Sequence, residues 1–281
     1  MNPASSKPRV TSMKCMEIRG GSRAVEEAFN TPGLDAWLHS RPFEGAERGG
    51  DLHYVSVCGG GVITRVIVAD VSGHGARVAE FSEALRALMR KNINTKSQTL
   101  LVEALNSQFG ETAQSLRFAT AVIATYLANR GTLTICNAGH PRPLWYRAEM
   151  GRWLVLDANS SERGNLPLGI DDEAAYSQFT ETLGRGDLVC FYTDALTEAA
   201  DPAGRMLGEE GLLEIARGLD VSEPDRIVPA LLAAVDRHRG GRPADDDVTL
   251  LTLFHNAGGP RPPSISEKLD VYAKVFGLKS Y

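Results

Sequence analysis

The chain has 281 residues, of which 43% are hydrophobic and 23% are charged, so its composition is globular and its length suits one large domain or two small ones. Its net charge of -5 argues against a surface for nucleic acid or for an anionic membrane, because both attract clustered Lys and Arg. The sequence contains no apolar run of about 18 residues and no signal-peptide core, so we expect a soluble cytoplasmic protein. Its 4 cysteines lack zinc-ligand spacing, which favours free thiols.

The amino-terminal part is polar, and we interpret residues 1–20 as a flexible tail before a domain that spans residues 21–256. Ser22–Asn30 predicts a short helix that ends before Thr31-Pro32-Gly33. Alternating apolar residues then predict strands and a tight glycine turn: Leu34–Ser40, His53–Cys58, Gly59–Gly61 and Val62–Asp70.

After Gly75 the apolar spacing changes from two to three and four residues, which predicts an amphipathic helix over Arg77–Lys91. Ser97 is a suitable N-cap for a second helix. The predicted buried stripe of that helix consists of Leu100, Leu101, Ala104, Leu105 and Phe109.

The rest of the domain returns to strands and ends with two helices before a last strand. The predicted strands of an antiparallel meander are Ala119–Ala128, Thr132–Asn137, Pro143–Arg147 and Trp153–Leu156. The later predicted elements are strands Thr180–Leu183 and Asp187–Tyr192, helices Glu209–Leu219 and Asp225–His238, and strand Val248–His255. Strands in runs with helices in pairs favour an α+β layered fold with antiparallel sheets.

The carboxy-terminal part, residues 257–281, begins with a stretch rich in Gly and Pro that is typical of a linker. An amphipathic helical pattern over Glu267–Leu278 follows it. We expect this segment to pack on its own domain or to dock on a partner.

Four acidic segments stand at the ends of predicted strands, and their central residues are Asp51, Asp70, Asp194 and Asp246. Asp51 and Asp70 are expected at the same end of two neighbouring antiparallel strands. Two like charges about 4 Å apart repel by roughly 4 kcal/mol at an effective dielectric near 20, so converging carboxylates indicate a bound cation. Oxygen ligands without a His/Cys set favour Mg²⁺ or Mn²⁺. The pattern therefore predicts a two-metal hydrolytic site.

An ordered set of short motifs carries a family resemblance. The motifs are Gly49-Gly50-Asp51, Asp70-Val71-Ser72-Gly73-His74-Gly75, Phe118-Ala119-Thr120-Ala121, Asn137-Ala138-Gly139-His140-Pro141, Pro167-Leu168-Gly169, Tyr192-Thr193-Asp194 and Asp246-Asp247-Val248-Thr249. Over about residues 30–256 the chain resembles the stage II sporulation protein E and sigma-B-regulator branch of the protein phosphatase 2C family. The resemblance implies a four-layer α-β-β-α sandwich of two antiparallel sheets flanked by helices.

The same resemblance implies two Mn²⁺ or Mg²⁺ ions, with Asp70 bridging them. Asp51 and the main-chain carbonyl of Val71 would complete one ion site, Asp194 and Asp246 would hold the other, and Asp247 would lie behind the ligands. The implied reaction is hydrolysis of phosphoserine or phosphothreonine in a protein, commonly an anti-sigma-factor antagonist of a partner-switching pathway. His74 is a candidate acid for the leaving oxygen, although Ser72 holds the position of the eukaryotic histidine.

Several residues in and beside the motifs leave alternatives open. His140 is expected to shape the floor of the site, and Thr120 and Pro167–Gly169 are expected to serve packing and loop geometry, rather than to do chemistry. Two positions depart from the pattern of the relatives: Arg48 replaces the usual apolar residue before the first motif and could contact a substrate phosphate or be an exposed arginine without that role, and Ala195 stands where relatives tend to have glycine. The alternatives to a phosphoprotein phosphatase are a catalytically silent binding module that captures a regulatory partner, and a hydrolase of small phosphoesters.

Overall fold

A computed structural model of the chain describes residues 10–72, 76–92, 97–113, 118–157 and 165–259. The carboxy-terminal pattern over Glu267–Leu278 and the candidate acid His74 lie outside these residues. In the described ranges, the structure contains no helix that is both long enough and apolar enough to cross a membrane.

The strands run through the whole described chain. They are β1 (Val10–Ser12), β2 (Glu17–Gly21), β3 (Val25–Thr31), β4 (Leu34–Arg41), β5 (Asp51–Cys58), β6 (Ile63–Val71), β7 (Ala119–Leu127), β8 (Thr132–Ala138), β9 (Leu144–Arg147), β10 (Arg152–Val155), β11 (Phe179–Thr182), β12 (Leu188–Tyr192) and β13 (Val248–His255). The α-helices are α1 (Ala76–Asn92), α2 (Gln98–Ala113), α3 (Gly208–Arg217) and α4 (Ile227–His238). Short 3₁₀ turns lie at Phe43–Gly45, Gly59–Gly61, Asp194–Leu196 and Pro224–Arg226.

The strands form two sheets. The seven-stranded sheet has the order β1-β3-β4-β13-β12-β9-β10, and the six-stranded sheet has the order β11-β8-β7-β6-β5-β2. The neighbouring strands pair antiparallel, except that β1 pairs parallel with β3. Helices α1 and α2 pack on the six-stranded sheet, and α3 and α4 pack on the seven-stranded sheet. The predicted α+β, four-layer sandwich is confirmed.

Residue alternation along the strands fills three apolar layers. In β6, Val66 and Val68 face the layer between the sheets, whereas Ile67 and Ala69 face α1 and α2. The third layer lies between the seven-stranded sheet and the helices α3 and α4. Because successive side chains of a strand point to opposite faces, the part of β6 that is flanked by two layers, Val66–Ala69, is apolar at every position.

The amino-terminal part differs from its prediction. Part of the expected flexible tail forms β1 and β2, and β2 pairs with β5 from Glu17↔Val57 to Gly21↔His53. The predicted helix Ser22–Asn30 is wrong, because Val25–Thr31 forms β3 and pairs residue by residue with β4. The spacing of Val25, Ala28 and Phe29 fits a helical period. The segment nevertheless forms a strand, because it pairs with β4 across the tight turn that precedes Leu34.

The predicted meander is also corrected. β7 and β8 pair within the six-stranded sheet, whereas β9 and β10 pair within the seven-stranded sheet, so the chain crosses between the sheets after Ala138. The two predicted helices that follow Gly75 are confirmed as α1 and α2. In α2, Leu101 and Leu105 are buried as predicted, but Leu100 is exposed to solvent.

Candidate metal centre

Two aspartates face each other at one end of the six-stranded sheet. Asp51 is the first residue of β5, and it pairs directly with Asp70 near the end of β6. Asp51 is 4% exposed, and Asp70 is partly buried. The hairpin through Gly59–Gly61 sets this register, and Gly60 and Gly61 supply its positive φ angles. The predicted placement of Asp51 and Asp70 at the same end of two neighbouring antiparallel strands is confirmed.

The seven-stranded sheet brings its own acids to the same end. Asp194 begins the 3₁₀ turn after β12, and Asp246 lies two residues before β13. The Asp246 carboxylate accepts a hydrogen bond of 2.7 Å from the Asp247 N–H. Glu198 is a further acid that sequence reasoning missed, and its N–H donates to the Asp194 carbonyl at 2.8 Å.

The acids raise one another's pKa. Burial, and then the charges of Asp194 and Asp246, raise the pKa of Asp70 to about 7. Burial, and then the charge of Asp70, raises the pKa of Asp51 well above its usual range, although hydroxyl hydrogen bonds oppose this. Burial, and then the charge of Glu198, raises the pKa of Asp194. Without a cation the charged forms of these carboxyl groups are therefore disfavoured, and a bound cation would stabilise them.

The donor set fits divalent ions by its chemistry. Carboxylate oxygens are ligands for Mg²⁺ and Mn²⁺. Burial first, and then repulsion between the carboxylates, raise the pKa of Asp51 and Asp70, and a divalent ion would relieve both effects. Among the described residues, however, no three His, Cys, Asp or Glu side chains are arranged to hold one ion. The two sheets therefore bring the aspartates to one end of the sandwich without closing them around a single point.

Asp247 organises the main chain around this end. Its carboxylate accepts hydrogen bonds from the N–H groups of Phe43 at 2.6 Å, of Gly50 and of Asp51 at 3.2 Å. Asp247 is 8% exposed. A Cβ atom at Gly49 would collide with this carboxylate, so the glycine allows the close approach. Asp247 thus ties the segment before β5 to the start of β13.

The chain after Asp70 remains extended as far as the structure describes it. The Val71 N–H donates to the Gly50 carbonyl at 3.4 Å, and the Ser72 N–H donates to the Phe118 carbonyl at 3.0 Å. These bonds hold Val71 beside the first motif, where its carbonyl was predicted as a ligand. That role remains a prediction.

His140 forms part of a buried network behind the carboxylates. Its Nδ1 lies 2.8 Å from Thr120 Oγ1, and Thr120 is the partner of Asp70 in the β6–β7 ladder. Asn137 accepts a hydrogen bond from the His140 N–H at 2.7 Å and donates to its carbonyl at 2.8 Å. Burial lowers the pKa of His140 to about 3, so its imidazole is neutral. This arrangement agrees with a structural role.

The Pro167–Gly169 turn packs against β7, the strand that contains Thr120. Leu168 exchanges two main-chain hydrogen bonds with Ala119, of 3.0 and 2.8 Å, and its side chain is fully buried. The turn thus contributes packing and loop geometry, as the sequence indicated.

The two departures from the family pattern have structural explanations. Arg48 forms an ion pair of 2.8 Å with Glu83 of α1, so its guanidinium has a partner within the protein. Ala195 is not among the described non-glycine residues with positive φ, so its methyl group causes no backbone strain. Its carbonyl accepts a hydrogen bond of 3.1 Å from the buried Arg239.

Hydroxyl groups around Asp51 were also missed by sequence reasoning. Thr193 Oγ1 donates to Asp51 Oδ2 at 2.8 Å, and the Thr249 N–H donates to Thr193 Oγ1 at 3.0 Å. The only sequence signal was that both threonines stand inside the quoted motifs, next to predicted ligands.

A cleft of about 1130 Å³ opens beside these acids. Segments 41–45 and 241–246 form its walls together with Leu232 and Asp236 of α4, and Asp246 lies on its lining. The cleft therefore reaches the carboxylate cluster at Asp246, whereas Asp51, Asp70 and Asp194 are not part of its lining.

Comparisons with known proteins agree with this architecture. The family model of Stage II sporulation protein E (SpoIIE) matches residues 61–256. The chain is 27% identical over 142 residues to the phosphoserine phosphatase RsbU of Bacillus subtilis, a match that covers 50% of this chain and 40% of RsbU. The chain spans less than half the length of the curated relatives it matches.

Solved structures share the fold. The RsbU and RsbW domains of Rv1364c from Mycobacterium tuberculosis match with a TM-score of 0.71 and 25% identity, covering 91% of this chain and 70% of that one. RsbX in complex with magnesium matches with a TM-score of 0.57 and 17% identity, covering 82% of this chain and 98% of RsbX.

Proposed function

The chain belongs to the Stage II sporulation protein E (SpoIIE) family, a PP2C-type phosphatase branch, and on this premise we propose that it is a metal-dependent protein serine/threonine phosphatase. The observation that carries the proposal is the meeting of Asp51 and Asp70 from one sheet with Asp194 and Asp246 from the other. A purely structural role would not explain why buried acids that raise one another's pKa are brought together.

The proposed ligand set follows the family pattern. Asp70 would bridge two Mn²⁺ or Mg²⁺ ions, Asp51 and the Val71 carbonyl would complete one site, and Asp194 and Asp246 would complete the other. Divalent ions bound there supply an acidified water as nucleophile and neutralise charge on the phosphoryl oxygens. The magnesium complex of RsbX, a protein of the same fold, supports binding of a divalent ion by this protein.

The protein groups would prepare this site in three ways. Asp247 fixes the main chain on both sides of the site through its N–H partners. The neutral His140 holds Thr120 beside Asp70. His74 is the candidate that protonates the leaving seryl or threonyl oxygen.

We propose a phosphorylated protein as substrate, and specifically an anti-sigma-factor antagonist of a partner-switching pathway. The cleft beside Asp246 has room for a polypeptide segment next to the phosphoresidue. The relationship to the phosphoserine phosphatase RsbU and to the RsbU and RsbW domains of Rv1364c supports a regulatory phosphoprotein.

One observation favours the second candidate, a catalytically silent binding module. In the described part of the chain, no three acidic or metal-binding side chains are arranged around one ion. Such a module would capture the same phosphoprotein in the same cleft without turnover.

The deciding experiment measures hydrolysis of an aryl phosphate and of a phosphorylated antagonist protein, with Mn²⁺, with Mg²⁺ and with EDTA. The proteins are the wild type, Asp70→Asn and the matched control Asp172→Asn, which removes an exposed carboxylate that does not line the cleft. We expect metal-dependent turnover in the wild type and the control, and its loss in Asp70→Asn.

A much higher kcat/KM for the phosphoprotein than for the aryl phosphate would exclude a hydrolase of small phosphoesters, because remote contacts contribute to catalysis of the larger substrate. Tight phosphoprotein binding without turnover in either metal would refute the phosphatase and establish the binding module.

A further inference from the structure

The inter-sheet apolar layer ends in hydroxyl groups on three strands. In β13, Leu251 and Leu253 face this layer, and Thr249 shares their face. Ser40 lies two residues after Leu38 on β4, and Thr193 lies two residues after Phe191 of β12, so the same alternation places both on the face of this layer. Thr193 and Thr249 are 0% exposed, and Ser40 is 3% exposed.

One of these hydroxyls bonds a carboxylate of the opposite sheet directly. Thr193 Oγ1 donates to Asp51 Oδ2 at 2.8 Å. The Thr249 side chain also lowers the pKa of Asp51, against the effect of burial. A buried hydroxyl in an apolar layer destabilises the fold unless it is hydrogen-bonded. Three such hydroxyls at the ends of the neighbouring strands β4, β13 and β12 therefore indicate a role beyond packing.

The direction of the bonds follows from counting protons. Thr193 Oγ1 accepts the Thr249 N–H at 3.0 Å, which leaves its own proton for Asp51. Thr249 Oγ1 lies 3.0 Å from Ser40 Oγ, so these two hydroxyls bond each other and either one can be the donor. The Thr193 proton therefore points toward the Asp51 carboxylate, and Ser40 and Thr249 complete the hydroxyl cluster beside it.

We infer that Thr193 and Thr249 are positioning residues of the metal site, which clamp the Asp51 carboxylate from the opposite sheet in the orientation that binds the ion. The Asp51 N–H also donates to Asp247 at 3.2 Å, so both the main chain and the side chain of this ligand are held. This inference rests on the proposed function.

The test measures Mn²⁺ binding by titration calorimetry, without reference to activity. We expect Thr193→Val and Thr249→Val to bind Mn²⁺ about 10–100-fold more weakly than the wild type, which is the usual effect of removing a group that orients a metal ligand. Thr193→Ser and Thr249→Ser retain the hydroxyl and should bind within about threefold of the wild type.

Thr252→Val is the matched control. Thr252 is also 0% exposed and lies on β13, but its hydroxyl contacts Cys190 Sγ at 3.4 Å instead of an acid. This variant should bind Mn²⁺ like the wild type. Thr249→Val removes only side-chain hydrogen bonds, so it decides the question if Thr193→Val, which leaves the Thr249 N–H unpaired, does not fold.

Activity provides a second measurement. The Mn²⁺ concentration for half-maximal turnover should rise in the Val variants, while turnover at saturating Mn²⁺ recovers. Unchanged Mn²⁺ binding in Thr249→Val would overturn the inference and leave the phosphatase intact. A wild type that binds no Mn²⁺ would overturn the proposed metal site and, with it, this inference.

Discussion

Replacement of Asp247 by Asn should destabilise the metal-free protein although it removes a negative charge from a crowded acidic cluster. The Asp247 carboxylate accepts N–H bonds on both oxygens, from Phe43 on Oδ1 and from Gly50 and Asp51 on Oδ2. Asn offers only one acceptor oxygen, so its amide nitrogen must face at least one of these N–H groups.

The magnitude follows from the bonds that are lost. A hydrogen bond to a charged group contributes about 1.5–3 kcal/mol. The bonds from the N–H groups of Gly50 and Asp51 are buried, and the bond from Phe43 is partly buried. Removal of the charge works in the opposite direction, because Asp247 raises the pKa of Asp51 and of Asp70. In both cases Asp247 is a minor cause behind burial, so we expect a net loss of about 1–3 kcal/mol.

The assay is urea unfolding in EDTA at pH 7. The control is Asp245→Asn, which makes the same charge change at an exposed residue and should alter the free energy of unfolding by less than about 0.5 kcal/mol. If Asp247→Asn unfolds at the same urea concentration as this control, the carboxylate does not hold the main chain as described.

Three further predictions concern the same end of the sandwich. Because the folded-state pKa of Asp70 is raised to about 7, the native protein retains a proton that the unfolded chain releases near pH 4. In EDTA, the free energy of unfolding should therefore fall as pH rises from about 4 to 7. Urea unfolding of Asp70→Asn should show a smaller fall. Gly49→Ala should weaken Mn²⁺ binding in calorimetry, because its Cβ displaces the Asp247 carboxylate, and wild-type affinity would refute that close approach. Ala195→Gly should leave kcat/KM unchanged and lower the urea midpoint by an amount worth about 0.5–1 kcal/mol, because Ala195 is buried without positive φ; a gain of activity would contradict this.

Local sequence predicted the parts of the site that depend on local structure. The β5–β6 hairpin fixes which residues face each other, so the pairing of Asp51 with Asp70 could be predicted from alternation and a glycine turn. Helices α1 and α2 could be predicted for the same reason, since their apolar spacing is contained within each segment.

Features that depend on contacts between distant segments were not predictable in this way. β1 has three residues, and its pairing with β3 leaves no local pattern. Spacing alone favoured a helix over Ser22–Asn30, and only pairing with β4 determines the strand there. The hydrogen bond from Thr193 to Asp51 joins residues 142 positions apart, so no window of sequence contains it.

The position of β13 has a consequence for the order in which the protein can be made. The last described strand lies between β4 and β12 and pairs with both over most of its length. During synthesis, β4 and β12 therefore emerge from the ribosome long before the strand that joins them, and each exposes an unpaired edge until then. Asp246 and Asp247 arrive with that strand, so a nascent chain cannot assemble the proposed ion site until almost all of the described strands have been translated.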